Sequence, residues 1–180
     1  MKWILRILGG IAALIVLCIL GLWLAGFREN AGRLAATVEI NRPAAHVWRH
    51  LWDDKLLLQW VDGLKEIQYL NEIREGPGAR TKLVVVQGTE RTEMEMLVTA
   101  VEPMRRIAFT LKSAGNPSVG FVETGEYTLT EEGGRTRLSI ATHSTYWPAF
   151  VQLMEPLGTP MAQKSLDKSF ADLKRLAESD

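Results

Sequence analysis

The feature that most restricts this 180-residue chain is a run of 21 uncharged, mainly apolar residues from Ile7 to Phe27. Such a segment satisfies its backbone hydrogen bonds as a helix, whose length at 1.5 Å per residue is about 31 Å. The hydrocarbon core of a bilayer is about 30 Å thick. Trp3 and Trp23 lie near the two ends, as is typical of aromatic side chains at membrane interfaces. The run therefore predicts a single-pass transmembrane helix.

A cleaved signal peptide would share the basic start and the apolar run of this segment. However, the run exceeds the usual signal core of about 15 residues, and the bulky Trp23 stands two residues before Ala25, where cleavage needs a small side chain. Retention of residues 1–33 as an anchor and linker is therefore the preferred interpretation. Basic residues flank both ends of the run, so they favour neither orientation clearly. The short basic start favours a domain on the outer side, which in a bacterium is the periplasm.

The remaining residues, 34–180, are enough for one domain. The chain balances 21 basic against 21 acidic residues, but residues 1–33 hold four basic residues against the single Glu29, a net charge of +3 that leaves −3 for the domain. A mildly acidic domain without basic clusters argues against a nucleic-acid partner. The only cysteine, Cys18, lies in the apolar run, so the domain has neither a disulfide nor a cysteine nucleophile.

Alternating apolar residues and turn signals divide the first part of the domain into a strand, two short helices and six further strands. The helices are expected to begin at Asn41-Arg42-Pro43, where Asn41 can cap, and at Asp53-Asp54. Short turns between neighbouring strands require antiparallel pairing. The predicted strands are 34–40, 67–73, 81–87, 90–101, 106–112, 121–130 and 136–146.

The end of the chain has helical periodicity, with apolar residues at spacings of three and four on one face. Three prolines, Pro148, Pro156 and Pro160, predict an irregular or kinked segment over 147–160 before this helix. The apolar face predicts packing against the sheet and consists of Ala162, Leu166, Phe170, Leu173 and Ala177.

The segment INRPAAHVWRHLWDDKLLLQWVDGLKEI, from Ile40 to Ile67, resembles the opening of the START-like superfamily, the SRPBCC group of polyketide cyclases and lipid-transfer domains. The runs EGPGARTKLVV, VTAVEPMRRIAF and TGEYTLTEEGGRTRLSI are similar to the strands and turns that follow in that group. The resemblance covers residues 34–180. It implies an α+β helix-grip fold, in which a curved antiparallel sheet of about seven strands wraps around the long C-terminal helix and encloses an apolar cavity.

Strand alternation indicates which side chains face that cavity. Met94 and Met96 alternate with Glu93 and Glu95, and flexible methionines suit ligands of irregular shape. Ordinary core filling is the alternative interpretation of the two methionines. Together with the cavity that the resemblance implies, the candidate ligand-binding residues are Trp60, Met94, Met96, Phe109, Tyr127 and His143.

Metal and catalytic motifs are weak. His46, His50 and Asp53 have helical spacing, but no fourth ligand accompanies them, and a solvated helix face is the preferred interpretation. His143 is interpreted as a structural histidine or, if it faces the cavity, as a general acid or base. No metal site, cofactor or catalytic group is predicted.

The preferred function is binding or transfer of a lipid or other apolar small molecule beside a membrane. The alternative is a polyketide-cyclase-like enzyme that uses Tyr127 or His143 to move protons. A third class, an interaction module that stimulates a chaperone, also uses this fold but has no signal of its own in the sequence. The oligomeric state is left open.

Overall fold

The computed structural model describes residues 2–26, 32–115, 118–147, 151 and 155–179, and within the first helix the side chains of 3–4, 6–21 and 23. Parts of the predicted anchor flank and of the predicted irregular segment, at 27–31, 148–150 and 152–154, lie outside these residues. The described elements are α1 (Lys2–Gly26), β1 (Arg33–Ile40), α2 (Ala44–His50), α3 (Asp54–Trp60), β2 (Leu64–Tyr69), β3 (Arg80–Gln87), β4 (Glu90–Glu102), β5 (Arg106–Ser113), β6 (Gly120–Glu132), β7 (Arg135–Trp147) and α4 (Glu155–Ser179).

Seven antiparallel strands form one sheet in the order β1-β7-β6-β5-β4-β3-β2. The strands from β2 to β7 each pair with the next along the chain, because the turns between them are short. Strand β1 lies at one edge of the sheet and pairs with β7, whereas β2 lies at the other edge. Helices α2 and α3 therefore connect the two edges of the sheet. This is the predicted helix-grip arrangement of a curved sheet with a C-terminal helix.

A bulge between Val98 and Ala100 changes the alternation of β4. Beyond it Val101, rather than Ala100, packs against the core. Continued alternation from Met94 and Met96 would have placed Ala100 inward, but an inserted residue reverses the faces of all positions that follow. Before the bulge, Met96 has the expected inward orientation, and Val98 lies on the same face.

The two short helices differ in which side chains bind their first N–H groups. Asp53 caps α3 as predicted, and its carboxylate accepts hydrogen bonds from the backbone N–H groups of Lys55 and Leu56 at 2.9 and 3.3 Å. Asn41 does not cap α2, because its side chain donates instead to Glu178 of α4 at 3.0 Å. The first N–H of α2 is bound by a distant carboxylate, Glu131 of β6, at 2.8 Å.

The last helix, α4, covers the concave face of the sheet. Its buried side chains Phe170, Leu173 and Ala177 belong to one apolar core with residues of α2 and of the strands. The helix is already formed at Glu155 and runs through Pro160, so the predicted irregular segment is wrong for the described residues from Glu155 onward. A proline in the first turns of a helix leaves a carbonyl unpaired but need not end the helix. Among the described residues, every side chain of the buried hydrophobic core lies within 40–177.

The predicted anchor is helical from Lys2 to Gly26. Among the residues that the structure describes, however, no helix combines the length and the hydropathy that a membrane span needs. The transmembrane interpretation is therefore unsupported by the structure and stays a prediction from the sequence.

Candidate functional site

A cavity of about 250 Å³ lies between the concave face of the sheet, the helices α3 and α4, and the turn between α2 and α3. Its wall takes side chains from all seven strands, including Leu34 of β1, and Leu166 from α4. Most of these side chains are apolar. A concave, mostly apolar space with a few polar groups is the usual form of a small-molecule site.

Four of the six predicted ligand-binding residues line this cavity: Met94, Met96, Phe109 and Tyr127. They are brought together because the bulge in β4 comes after both methionines, and because register places Met96 beside Leu111 and Phe109 beside Gly125. The ring centroids of Phe109 and Tyr127 are 5.7 Å apart, so the two aromatic side chains pack on each other in the wall.

The other two predicted residues, Trp60 and His143, do not line the cavity. The Trp60 side chain is 2% exposed in the core, where its indole N–H donates to the carbonyl of His50 at 2.9 Å. His143 is exposed on the opposite, convex face of the sheet, in a shallow groove beside Arg33 and Thr99. Neither side chain is placed to touch a molecule inside the cavity.

Gly125 shapes the wall behind Phe109. A Cβ atom at this position would lie 2.3 Å from Cζ of the Phe109 ring and 2.8 and 2.9 Å from the two Cε atoms. Carbon atoms pack best at about 3.5–4.0 Å, so only glycine lets the ring lie flat against β6. The ring therefore has its position in the cavity wall because β6 has no side chain there.

Glu123 places a carboxyl group among the apolar side chains of the wall. The Ser144 hydroxyl donates to its Oε2 atom at 2.6 Å across the β6–β7 pair. Burial raises the pKa of Glu123, and the hydrogen bond from Ser144 only partly opposes this. Burial, and secondly the Glu123 carboxylate, also raise the pKa of Tyr127, so its phenol is a poor proton source near neutral pH.

Two further polar atoms lie in the wall without a hydrogen-bond partner among the described residues. They are the indole Nε1 of Trp52 and the hydroxyl oxygen of Thr142. Buried polar atoms are nearly always paired, because an unmade hydrogen bond costs about 1–3 kcal/mol. These atoms are therefore candidates to bind a polar group of a ligand.

The α3 end of the cavity carries a second polar group that is already satisfied. The Tyr69 hydroxyl donates to Oδ1 of Asp54 at 2.8 Å, and the guanidinium carbon of Arg74 stands 3.9 Å from the centre of the Tyr69 ring. Burial, followed by the hydrogen bond to Asp54, raises the pKa of Tyr69 to about 12. At this end of the cavity, Tyr69 is therefore already bound to Asp54 and Arg74 within the protein.

The predicted solvated face of α2 is wrong for His50, which is fully buried. Its Nδ1 lies 3.0 Å from the carbonyl oxygen of His46, and Nε2 of His46 lies 3.0 Å from that of Ala177 in α4. Burial, and then the neighbouring His50, lower the pKa of His46. Helix α2 is covered by α4 as well as by the sheet, which the spacing of its residues does not reveal. In the described part of the chain, no three His, Cys, Asp or Glu side chains are grouped to hold a metal ion.

The sequence between residues 31 and 178 matches the family model described as polyketide cyclase / dehydrase and lipid transport. The chain belongs to this family. Membership supports two coarse functions, binding of a hydrophobic ligand or a cyclase-like activity. No curated protein matches the chain significantly.

Solved structures of similar fold include the Zhui aromatase/cyclase from Streptomyces sp. R1128, with a TM-score of 0.65, 19% identity and coverage of 81% of this chain and 93% of that one. A conserved protein from Geobacillus kaustophilus has a TM-score of 0.68, 15% identity and coverage of 82% and 95%. Protein CV1439 from Chromobacterium violaceum has a TM-score of 0.63, 16% identity and coverage of 83% and 99%. At such identities these structures support the fold alone. All three structures are covered over at least 93% of their own length.

The polar residues of the cavity that sequence reasoning missed include Glu123, Trp52 and Thr142. The inward orientation of Glu123 is predictable, because Tyr127 is expected to face inward and residues four apart on one strand share a face. Thr142 is likewise two positions from Ile140, which is buried in the core. Trp52 follows the short helix α2, where strand alternation gives no information.

Proposed function

We propose that residues 31–180 bind a hydrophobic small molecule in the cavity behind Met94, Met96, Phe109 and Tyr127. The observation that carries this proposal is an apolar volume of about 250 Å³ inside a domain of this size. Well-packed interiors leave few voids larger than a water molecule. A void of about 150 Å³ is enough for benzene when its lining is apolar. The cavity is therefore suited to a ligand somewhat larger than one aromatic ring.

Methionine methyl groups give a direct test. Residues 31–180 would be labelled with ¹³C at the methionine methyl groups and titrated with naphthalene. Met94 and Met96 line the cavity, whereas Met104 and Met161 are 47% and 76% exposed on the surface. Binding in the cavity should shift the signals of the first pair and leave those of the second pair unchanged. Equal shifts for all four, or no shift at saturating naphthalene, would refute the proposal.

The natural ligand can be sought in the same protein. Organic extraction of residues 31–180 purified from the cell, followed by mass spectrometry, should release an apolar molecule that is absent from a Met96→Glu preparation. That variant places a further carboxylate in the cavity wall, where an unpaired charge strongly opposes apolar ligands.

A cyclase-like activity is the second candidate function. The observation that favours it is the Glu123 carboxyl group, which is held in an apolar wall at a raised pKa and is thus able to exchange a proton with a bound substrate. Because His143 faces away from the cavity, Glu123 takes its place as the candidate group for proton transfer. The two functions differ in outcome: a binding protein returns the extracted molecule unchanged, whereas a cyclase converts it, for example with loss of water, and Glu123→Gln should stop the conversion.

We further propose that α1 anchors the domain in a membrane, with the domain on the outer side. The support is the charge-free run Ile7–Phe27, of which residues 7–26 lie in α1, together with the apolar Leu157 and Met161, which are 58% and 76% exposed near the start of α4. The Gly32 N–H donates to Glu155 at 3.0 Å, so the chain leaves α1 at this same end of the domain. Such an arrangement would keep the cavity beside a source of apolar ligands.

Membrane retention of the full chain tests the anchor. The protein should stay in the membrane fraction after alkaline carbonate washing and keep its first residues in peptide maps, whereas a Leu14→Arg, Leu17→Arg double variant should be released. External protease should digest the domain in intact spheroplasts. A new terminus between 26 and 36, or release of the unchanged protein by carbonate, would contradict the anchor, and protection from protease would reverse its orientation.

A further inference from the structure

Two carboxyl groups border the cavity, and they differ in their partners. Asp54 accepts a hydrogen bond from the Tyr69 hydroxyl and stands near the guanidinium of Arg74. Glu123 accepts one hydrogen bond, from Ser144, and this is its only hydrogen-bond partner in the described part of the chain. A carboxylate has room for about four hydrogen bonds, so Glu123 keeps most of its accepting capacity.

The surroundings of Glu123 hold no cation that pairs with it. On the same cross-strand row its neighbours are Ser144 of β7 and Leu111 of β5, and Met96 of β4 follows. Lys112, the basic residue next to Leu111, pairs with Glu95 at 3.0 Å on the other face of the sheet. No basic side chain contributes to the raised pKa of Glu123. Among the described residues, the Ser144 hydroxyl is therefore the one donor that shares this carboxyl group with a ligand.

Thr142 supplies a complementary group close by. It faces the cavity from β7, two residues before Ser144, and its strand partner is Gly125, two residues after Glu123. Its side chain is 7% exposed, and its hydroxyl has no partner among the described residues. Glu123 and Thr142 thus stand one row apart on adjacent strands, and both line the cavity. Together they offer an acceptor and a donor to one small group.

We propose that Glu123 and Thr142 select an uncharged apolar ligand, of one or two rings, that carries a hydroxyl group at one end. The hydroxyl donates to the free oxygen of Glu123 and accepts from the Thr142 hydroxyl. An ether or a ketone cannot donate to Glu123, and an ammonium group cannot accept from Thr142. This inference rests on the proposed binding of apolar molecules in the cavity, and it names their chemical class.

The volume sets the size of this ligand. About 250 Å³ exceeds the 150 Å³ void that holds benzene, and it is below the range of about 300–1,000 Å³ usual for drug-sized ligands. Naphthalene and its derivatives are therefore suitable probes. Three matched probes differ only at one position: 2-naphthol donates and accepts, 2-methoxynaphthalene only accepts, and naphthalene does neither.

Affinities of residues 31–180 for the three probes, measured by isothermal titration calorimetry, test the inference. The expected result is that 2-naphthol binds at least about tenfold more tightly than the other two, which corresponds to about 1.4 kcal/mol for a hydrogen bond to a charged or strongly polar acceptor. Glu123→Leu should abolish this preference, and Thr142→Val should reduce it. The preference is taken as the ratio of the 2-naphthol and naphthalene affinities within each variant, so that a general effect of a replacement on the cavity wall cancels.

Glu126→Gln is the matched control, since Glu126 lies on the outer face of β6 and pairs with Arg106 at 2.6 Å. It should leave all three affinities unchanged, and circular dichroism should show all variants folded. Equal binding of 2-naphthol and 2-methoxynaphthalene, an unchanged preference in Glu123→Leu, or tightest binding by 1-naphthylmethylamine as its ammonium would overturn the inference. If naphthalene itself does not bind, the cavity proposal fails first, so the two failures are distinguishable.

Discussion

Replacing Gly125 by alanine tests the packing that shapes the cavity. The new methyl group would lie 2.3–2.9 Å from three atoms of the Phe109 ring, more than 0.6 Å inside the optimal carbon separation of about 3.5–4.0 Å. The backbone of β6 is held by pairing with β5 and β7 on both sides, so it cannot easily withdraw. The ring must therefore move, and the space open to it is the cavity.

Two effects of opposite sign decide the magnitude. Overpacking a core usually costs about 1–3 kcal/mol, whereas alanine in place of glycine inside a strand gains about 0.5–1 kcal/mol. Because Phe109 is 8% exposed and also contacts Tyr127, the overpacking term is the larger one. We expect a net loss of about 1–2 kcal/mol in the free energy of unfolding, together with weaker naphthalene binding, since the displaced ring fills part of the cavity.

Urea unfolding followed by tryptophan fluorescence gives the free energies. Gly158→Ala is the matched control: no atom lies within 4 Å of the added methyl group, and in helix α4 the change should be neutral or stabilising by up to about 1 kcal/mol. In a Phe109→Leu background, which lacks the three clashing ring atoms, Gly125→Ala should lose most of its cost, giving a coupling energy above about 0.5 kcal/mol. A Gly125→Ala protein as stable as the parent, or a cost unchanged in the leucine background, would refute the reasoning.

Three further predictions concern the core, the cavity wall and its carboxyl group. Phe170→Ala should cost about 3–5 kcal/mol because the ring is 3% exposed, whereas Arg175→Ala, 76% exposed on the same helix, should stay within about 0.5 kcal/mol; equal losses in urea unfolding would mean that α4 does not pack as described. Met96→Glu should abolish naphthalene binding, and Glu95→Gln on the outer face should preserve it; normal binding by the Met96 variant would place the ligand elsewhere. The raised pKa of Glu123 means that the folded state binds more protons than the unfolded state above pH 4.5, so the parent loses stability as pH rises. Glu123→Gln should therefore be more stable than the parent at pH 7. A gain in stability that does not shrink towards pH 4.5 would argue against a buried carboxyl group.

Much of the fold was predictable because it depends on local patterns. Alternation and turn residues indicate all seven strands, and the helical spacing of Phe170 and Leu173 indicates the face of α4 that is buried. Strand boundaries were less accurate: β2 runs from Leu64 to Tyr69, earlier than the predicted 67–73, because the bulge near Leu64 disturbs the alternation at its start. The inward orientation of Met94 and Met96 follows from the same period of two.

The errors share a physical cause, because a residue pattern reports the faces of one helix or strand and not the distant elements that pack against it. His50 is buried because α4 covers a face of α2 that looks polar in sequence. Trp60 looks like a residue at the mouth, yet its indole donates to the backbone of the preceding helix. Asn41 has the chemistry of a helix cap, but it binds Glu178, which is 137 positions away. Long-range partners of this kind are set by tertiary packing, and no local period encodes them.

Two features of the cavity weaken the folded state when it is empty. An unfilled apolar volume lowers stability, because the side chains that line it lack packing partners on one side. A carboxyl group with raised pKa in the same wall adds a further cost near neutral pH. A ligand that fills the volume and donates to Glu123 would remove both costs at once, and any ligand that binds only the folded state raises its stability by mass action. Saturating 2-naphthol should therefore raise the unfolding midpoint of residues 31–180 more than saturating naphthalene does, and Glu123→Leu should bring the two increases together.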